Sequence, residues 1–360
     1  MNAAIPPINV QRTDASLAQR LSGAADIPFS SVFSDHMFVA SWREGRWEEA
    51  GIRPYGPLSL APNISALQYG LSVFEGLKAQ RTPGGRVALF RPTSNARRLN
   101  RSAQRLAMPE IPEALFLEGL RTLVGLDQQW VPEHGRGALY IRPCLFSVDP
   151  CVRVKPPDEC LCVIFTFPFT SYYSGPVELL VSESYVRAFP GGTGDIKPAG
   201  NYAPALLAER EAREAGFHSV LWLDGMHRSF IEECGVMNVF FVLEDEVVTP
   251  PLEGTILPGV TRDSALTLLK DMGVRVAERR LSIDELLQAS RAGRLRECFG
   301  TGTAATVSHI SRIRYRDTDM HLPSVGEGAI GSQVRDRLNA IASGAQPDRH
   351  GWLDLLFPLE

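Results

Sequence analysis

The residues best suited to chemistry cluster around a single lysine. Lys197 sits in the stretch GGTGDIKPAGNY, where four glycines, Pro198 and Asn201 surround it without a core-forming pattern. Glycines let a backbone approach a ligand closely, and a lysine shielded from water supplies the neutral amine that a Schiff base with an aldehyde cofactor requires. The alternative is an exposed loop lysine. Of the 37 basic residues only Lys78, Lys155, Lys197 and Lys270 are lysines, so lysine chemistry has four positions to choose from, although a GC-rich coding sequence would give the same bias. Lys155, in a charged loop, and Lys270, late in a predicted helix, read as surface residues.

Other groups suit the same chemistry. Tyr202 follows Lys197 by five residues and offers a hydroxyl to a phenolate oxygen. Glu232 and Glu233 precede the apolar run CGVMNVFFV, and a carboxylate entering a buried strand needs a partner such as a pyridine nitrogen. At least one of the two reads as a solvated turn residue. Pro258 and Gly259 lead into Val260 and Thr261 at a predicted helix start, where backbone amides and a hydroxyl can meet a phosphate. The small-residue loop GTGTAAT, Gly300 to Thr306, offers further amides to a carboxylate or phosphate. Arg98 could pair with a phosphate, though most charges in its arginine-rich stretch must be solvated.

These groups need elements to hold them. The runs MFVASW, RVALF, ALYIRP and CLCVIFTF read as strands, and SNARRLNRSAQRLAM as a helix with arginines on its outer face. They compose a first α+β unit ending near Thr170. The turn-rich SYYSGP reads as a linker. Beyond it, VELLVSE, FHSVLWLD, MNVFFVLED and EVVTP read as strands, while APALLAEREAREAGF and LPGVTRDSALTLLKDMG read as helices. HGWLDLLF reads as a short apolar helix docking near the end. The expected division is an N-terminal arm over 1–30, a small α+β domain over 31–170, a linker over 171–184 and a larger α/β domain over 185–360 carrying Lys197.

Composition narrows the partners. At 360 residues and 44% hydrophobic, the chain can bury two cores. A net charge of −4 suggests neither a nucleic-acid surface nor an acidic disordered chain, leaving a small molecule as the expected partner. No apolar run is long enough to span a membrane, and the first residues lack the order of a signal peptide, so the cytoplasm is expected. The six cysteines have no zinc or thioredoxin-like spacing and read as reduced, mostly buried thiols; no metal is expected.

Taken in order, FSDHMFVASW, ALQYGLSVFEGLKA, LFRPTSNARRLNRSAQRL, LYIRP, RAFPGGTGDIKPAGNYAP, EECGVMNVFFV, ILPGVTRDS and FGTGTAATVSHI resemble the branched-chain amino-acid aminotransferases. These are fold-type IV pyridoxal-phosphate enzymes of aminotransferase class IV. The resemblance runs from Phe33 to His309 and implies an α+β small domain plus a larger α/β-barrel-like domain, with the cofactor between two domains of a homodimer. It makes Lys197 the Schiff-base lysine and proton shuttle, places Tyr202 against the phenolic oxygen, and chooses Glu233 over Glu232 for the pyridine nitrogen. Arg98, the Val260 and Thr261 amides and the Thr261 hydroxyl would hold the phosphate, with Thr303 beside the cofactor. The Thr303 and Ala304 amides would meet the substrate α-carboxylate. Arg142 would receive the side-chain carboxylate of glutamate or 2-oxoglutarate. Phe33, Tyr69, Phe74, Tyr140 and Tyr172 would form the apolar pocket, with Tyr173 competing for the role of Tyr172.

The chain departs from the family pattern in three places. Val236 stands where relatives usually have glycine or threonine, Pro198 follows the lysine directly, and TAATVSH lacks the C-x-x-C pair of the mammalian members. The activity implied is transamination between a branched-chain or related aliphatic L-amino acid and 2-oxoglutarate. Its rivals are a paralogue using an unusual 2-oxo acid in a specialised pathway, the D-amino-acid aminotransferases, the aminodeoxychorismate lyases, and a catalytically silent partner protein.

Overall fold

A computed structural model describes residues 5–13, 26–171, 175–324, 326 and 328–356. Tyr172, Tyr173 and most of the expected N-terminal arm lie outside the described residues. The chain forms two compact units: Met1–Tyr172 with Lys197–Gly200 and Ala340–Glu360, and Tyr173–Ile196 with Asn201–Asn339. Two stretches that the linear reading puts in the second domain, one of them containing Lys197, thus make their contacts with the first unit.

The first unit contains β1 (Asn9–Val10), β2 (His36–Arg43), β3 (Arg46–Pro54), α1 (Ser65–Tyr69), β4 (Ser72–Phe74), β5 (Leu77–Arg81), β6 (Val87–Phe90), α2 (Pro92–Arg105), α3 (Glu113–Leu126), β7 (Ala138–Ser147) and β8 (Cys160–Phe169). In one sheet the order is β1-β3-β2-β8-β7-β5-β6, with β4 beside β7. The long central strands β7 and β8 are almost wholly buried, which is why their sequences read as continuous apolar runs. Helix α2 begins with Pro92 and buries Asn95, Ala96, Arg98, Leu99, Ser102 and Ala103. Three of those six are polar side chains on the core face of an amphipathic helix, and each must find a partner there.

The second unit contains β9 (Val177–Val181), α4 (Leu206–Glu214), β10 (Ser219–Leu223), β11 (Ile231–Cys234), β12 (Met237–Val242), β13 (Val247–Thr249), α5 (Val260–Asp271), β14 (Val276–Glu278), α6 (Ile283–Arg291), β15 (Glu297–Gly302), β16 (Thr306–Tyr315), β17 (Thr318–His321) and most of α7 (Ile330–Ala342). Its sheet runs β11-β10-β9-β16-β15-β12-β13-β14, and β11 also pairs with β12. That extra pairing closes β9, β10, β11, β12, β15 and β16 into a ring, the barrel-like architecture expected of the larger domain. Its apolar filling includes Leu179, Leu221, Val239, Phe241 and Ile313.

Three expectations need correction. HGWLDLLF holds no helix: Leu353–Leu356 is a strand, β18, pairing antiparallel with β6 at the edge of the first sheet. Its alternating side chains fit a period of two as well as a helical turn, and the open edge of β6 decides between them. The stretch 171–184, expected as linker, contains β9. Glu232 and Glu233 lie within β11 and not before a strand, and both are buried, so neither is a solvated turn carboxylate.

Candidate functional site

In the first unit Lys197 is held from both sides. Its backbone N–H donates to Ser102 Oγ of α2 at 3.0 Å, and its carbonyl accepts from the Phe74 N–H of β4 at 3.1 Å. Pro198 then pairs with Val73 in an isolated bridge. That bridge uses the carbonyl of Lys197, so the missing proline N–H costs nothing there. The half-buried lysine side chain lies over Phe74, Nζ 4.7 Å from the ring centre.

Next to Phe74 lies Glu75, a residue not singled out from the sequence and one fully enclosed in this unit. Its carboxylate takes Nε and Nη2 of Arg98 at 2.6 and 2.8 Å. Asn95 Nδ2 donates to the same carboxylate at 2.7 Å and the Gly76 N–H at 3.2 Å. Burial alone would raise the Glu75 carboxyl, but the charge and hydrogen bonds of Arg98, with smaller help from Lys197 and Asn95, outweigh it and hold the group below its usual range. The predicted phosphate ligand Arg98 is therefore already oriented along one edge. Gly76 is required by space: a Cβ there would stand 2.1 Å from the Tyr140 hydroxyl.

The predicted side-chain pocket is partly assembled in this unit. Arg142 lies 4.9 Å from the centre of the Phe74 ring and 5.3 Å from that of Tyr140, and its Nη2 donates to the Tyr140 hydroxyl at 3.2 Å. Phe167 stacks on Tyr140 at 5.0 Å and meets Phe33 edge-on at 5.6 Å. Phe33, Phe74, Tyr140 and Arg142 therefore form a continuous apolar wall carrying one guanidinium, with Phe167 as an unforeseen link. Tyr69 stands 44% exposed at the end of α1, and the ring contacts that join this wall do not include it.

In the second unit Tyr202, Glu233 and Val236 line one small recess, with Arg187, Asn201 and Leu257. Strand alternation sends the neighbouring Glu232 elsewhere, to accept from Thr255 Oγ1 at 2.5 Å, and burial pushes its carboxyl up. Glu233 faces Arg187, whose Nε lies 2.6 Å away, and accepts from Asn238 Nδ2 at 3.0 Å. The structure thereby distinguishes the two glutamates that the residues alone left open. Asn238 also donates to the Leu257 carbonyl at 2.9 Å, just before Gly259–Val260–Thr261 opens α5. A Cβ on Gly259 would stand 2.1 Å from Asn238 Oδ1. Thr303 and Ala304 sit in the turn between β15 and β16, just beyond Thr301, the strand partner of Asn238. Arg187 and Asn238 were missed as individual residues, although both fall in strings that carried the resemblance.

The donor set suits a phosphorylated pyridine aldehyde. The first unit offers an amine on a short, pinned backbone and an oriented guanidinium, and the second unit a phenol, a buried carboxylate able to meet a ring nitrogen, and a helix N-terminus able to meet a phosphate. The carboxylate is the telling part: Glu233 is only 4% exposed and shares its recess with Tyr202. Lys270 is exposed, and Lys155 is paired with Asp158. All six cysteines are unbridged, and burial pushes the Cys144 and Cys160 thiols up to about 11 and about 12. Among the described residues no helix is long and apolar enough to cross a membrane, and no group of three or more His, Cys, Asp or Glu could hold a metal ion.

The amino-transferase class IV family matches residues 72–313 of the chain. A branched-chain-amino-acid aminotransferase of Mycobacterium tuberculosis is 43% identical over 348 residues, covering 94% of this chain and 95% of that protein. Branched-chain-amino-acid transaminase 1 of Bacillus subtilis is 46% identical over 312 residues, covering 85% and 87%. Among solved structures, the branched-chain amino acid aminotransferase of Escherichia coli superposes with a TM-score of 0.72 at 27% identity, over 89% of this chain and 98% of that one. A second branched-chain amino acid aminotransferase, complexed with N-(5'-phosphopyridoxyl)-L-glutamate, superposes with a TM-score of 0.71 at 26% identity, over 88% and 97%.

Proposed function

The chain belongs to the class IV aminotransferases, and from that premise we propose that it exchanges an amino group between a branched-chain L-amino acid and 2-oxoglutarate using pyridoxal 5'-phosphate. The bound cofactor supplies an aldehyde to link amines and a protonated ring to draw electrons from the substrate α-carbon. Lys197 is the residue that anchors it and then, as a free amine, moves the α-proton. Tyr202 and Glu233 hold the phenolic oxygen and the ring nitrogen. Arg98, Val260 and Thr261 hold the phosphate, with Thr303 beside it. The Thr303 and Ala304 amides hold the substrate α-carboxylate.

The observation that carries the substrate reading is Arg142 lying on Phe74 and Tyr140. An exchange enzyme must accept an aliphatic and an acidic side chain in turn. An apolar wall with a single guanidinium accommodates both. Phe33 extends the wall; Tyr69 and Tyr172 complete the proposed set. Keeping Lys197, Tyr202 and Glu233 together speaks against a silent partner protein. Val236, 56% exposed on the Glu233 recess, favours the second reading, a paralogue with an unusual 2-oxo acid, because a branched side chain there narrows the space.

The proposal includes a homodimer and a cytoplasmic setting. Tyr69, Val152 and Val154 are exposed apolar side chains of the first unit, and Asn63, just before α1, donates to the Pro150 carbonyl at 2.7 Å; exposed apolar groups of this kind suit a contact with a second copy. Six unbridged cysteines suit a reducing compartment.

The test is a transamination panel with 2-oxoglutarate, comparing leucine, isoleucine and valine with 2-aminobutyrate, methionine, phenylalanine and D-alanine. Turnover of the three branched donors is expected. Failure of all three with turnover of another L-amino acid would move the enzyme to the second reading, turnover of D-alanine alone would move it to the D-amino-acid aminotransferases, and no turnover with any donor would sink the proposal.

A further inference from the structure

Glu75 has no part in the reaction as proposed, yet the geometry assigns it one. We propose that Glu75 is a positioning residue that aims Arg98 at the cofactor phosphate before the phosphate arrives. This rests on the reading of Arg98 as a phosphate ligand.

Glu75 takes one edge of the guanidinium, Nε and Nη2, in two parallel charge-assisted bonds. A planar fork held along one edge can turn only with difficulty. Glu75 is itself fixed by Asn95 of α2, one turn before Arg98, and by the Gly76 N–H. The same two segments hold the lysine: α2 through Ser102, whose hydroxyl also donates to the Arg98 carbonyl at 2.8 Å, and β4 through Phe74. The enclosed carboxylate therefore fixes Arg98 on α2, while Lys197 is held by Ser102 and Phe74 without it.

Two physical arguments favour aiming over mere stability. Burying an ion pair contributes little net stability, because desolvation offsets the attraction. An arginine already pinned loses no further rotamer freedom when it captures an anion, so the ordering cost falls on folding and not on binding.

The experiment compares the apoenzyme's affinity for pyridoxal 5'-phosphate with that for pyridoxal, which lacks the phosphate, by fluorescence titration, with thermal unfolding as a control. In Glu75→Gln the amide points an N–H at one of the Arg98 donors, and the guanidinium must leave its edge. The preference for the phosphorylated form is expected to fall about tenfold or more while pyridoxal affinity stays within about twofold. Glu75→Asp, which keeps the charge, should lie between. Equal losses for both ligands would make Glu75 a structural residue, and tighter binding of the phosphorylated form would make it a competitor for Arg98; either overturns the proposal. If Glu75→Gln does not fold, Asn95→Ala loosens the same carboxylate, and an unchanged preference there overturns it equally. A wild-type protein that binds neither ligand would refute the functional reading itself, an outcome distinct from all of these.

Discussion

At the scale of single residues, Lys197 can be separated from the other lysines. Lys197→Ala should abolish turnover and the absorbance of covalently held cofactor, whereas exposed Lys270→Ala should leave both intact; turnover by the first variant would refute the assignment. Arg142 separates the two substrates. Removing a guanidinium that meets a carboxylate costs about 2–3 kcal/mol, so Arg142→Ala should raise the KM for 2-oxoglutarate by roughly 30- to 150-fold and leave the leucine half-reaction nearly unchanged. Equal losses for both would remove Arg142 from the side-chain pocket. Scarce lysines and glycine neighbours singled out Lys197 as a candidate in the sequence, and its proposed role came with the family resemblance. Glu75, Asn95 and Ser102 were not singled out, because a polar residue on a helix face reveals its partner only once the strand packed against it is known. The contrast between Glu232 and Glu233 needed the alternation of β11 for the same reason.

At the scale of elements, the N-terminus of α5 depends on one contact. Gly259 has an ordinary extended backbone, φ −66°, so its requirement for glycine comes from space: chiefly from Asn238, whose Oδ1 a Cβ would meet at 2.1 Å, with Arg262 Cβ at 3.3 Å. Gly259→Ala should displace Asn238, loosen its bonds to Glu233 and Leu257, and cost about 1–3 kcal/mol of stability together with affinity for phosphorylated ligands. A variant with unchanged melting temperature and unchanged cofactor affinity would show that the contact is dispensable. Most of the elements that frame these residues were visible in their periodicity, among them β2, β6, β7, β8, β12, α2 and α5. The final strand was not. A short apolar run bounded by glycine and proline carries no decisive period, and only the waiting edge of β6 makes it β18.

At the scale of the whole molecule, the first unit is built from three separate lengths of chain. A fragment covering residues 26–171 lacks β18 and the Lys197–Gly200 segment. It should show no cooperative thermal unfolding, and a sharp transition would contradict the dependence. Acid should act partly through Glu75. Its folded-state carboxyl is held below the ordinary 4.5, so its contribution is present above that value and lost as pH falls through the lower, folded one. Below pH 4.5 the wild type should therefore lose stability more steeply than Glu75→Gln, as chemical denaturation across pH would measure.

The strand β18 carries one more consequence. Its partner β6 precedes it by some 260 positions, so on the ribosome the edge of β6 emerges long before the segment that covers it. Throughout the synthesis of everything between, that edge stands bare, open to pairing with another chain. Products of translation interrupted anywhere in that interval will all share it, making them natural clients of chaperones and proteases.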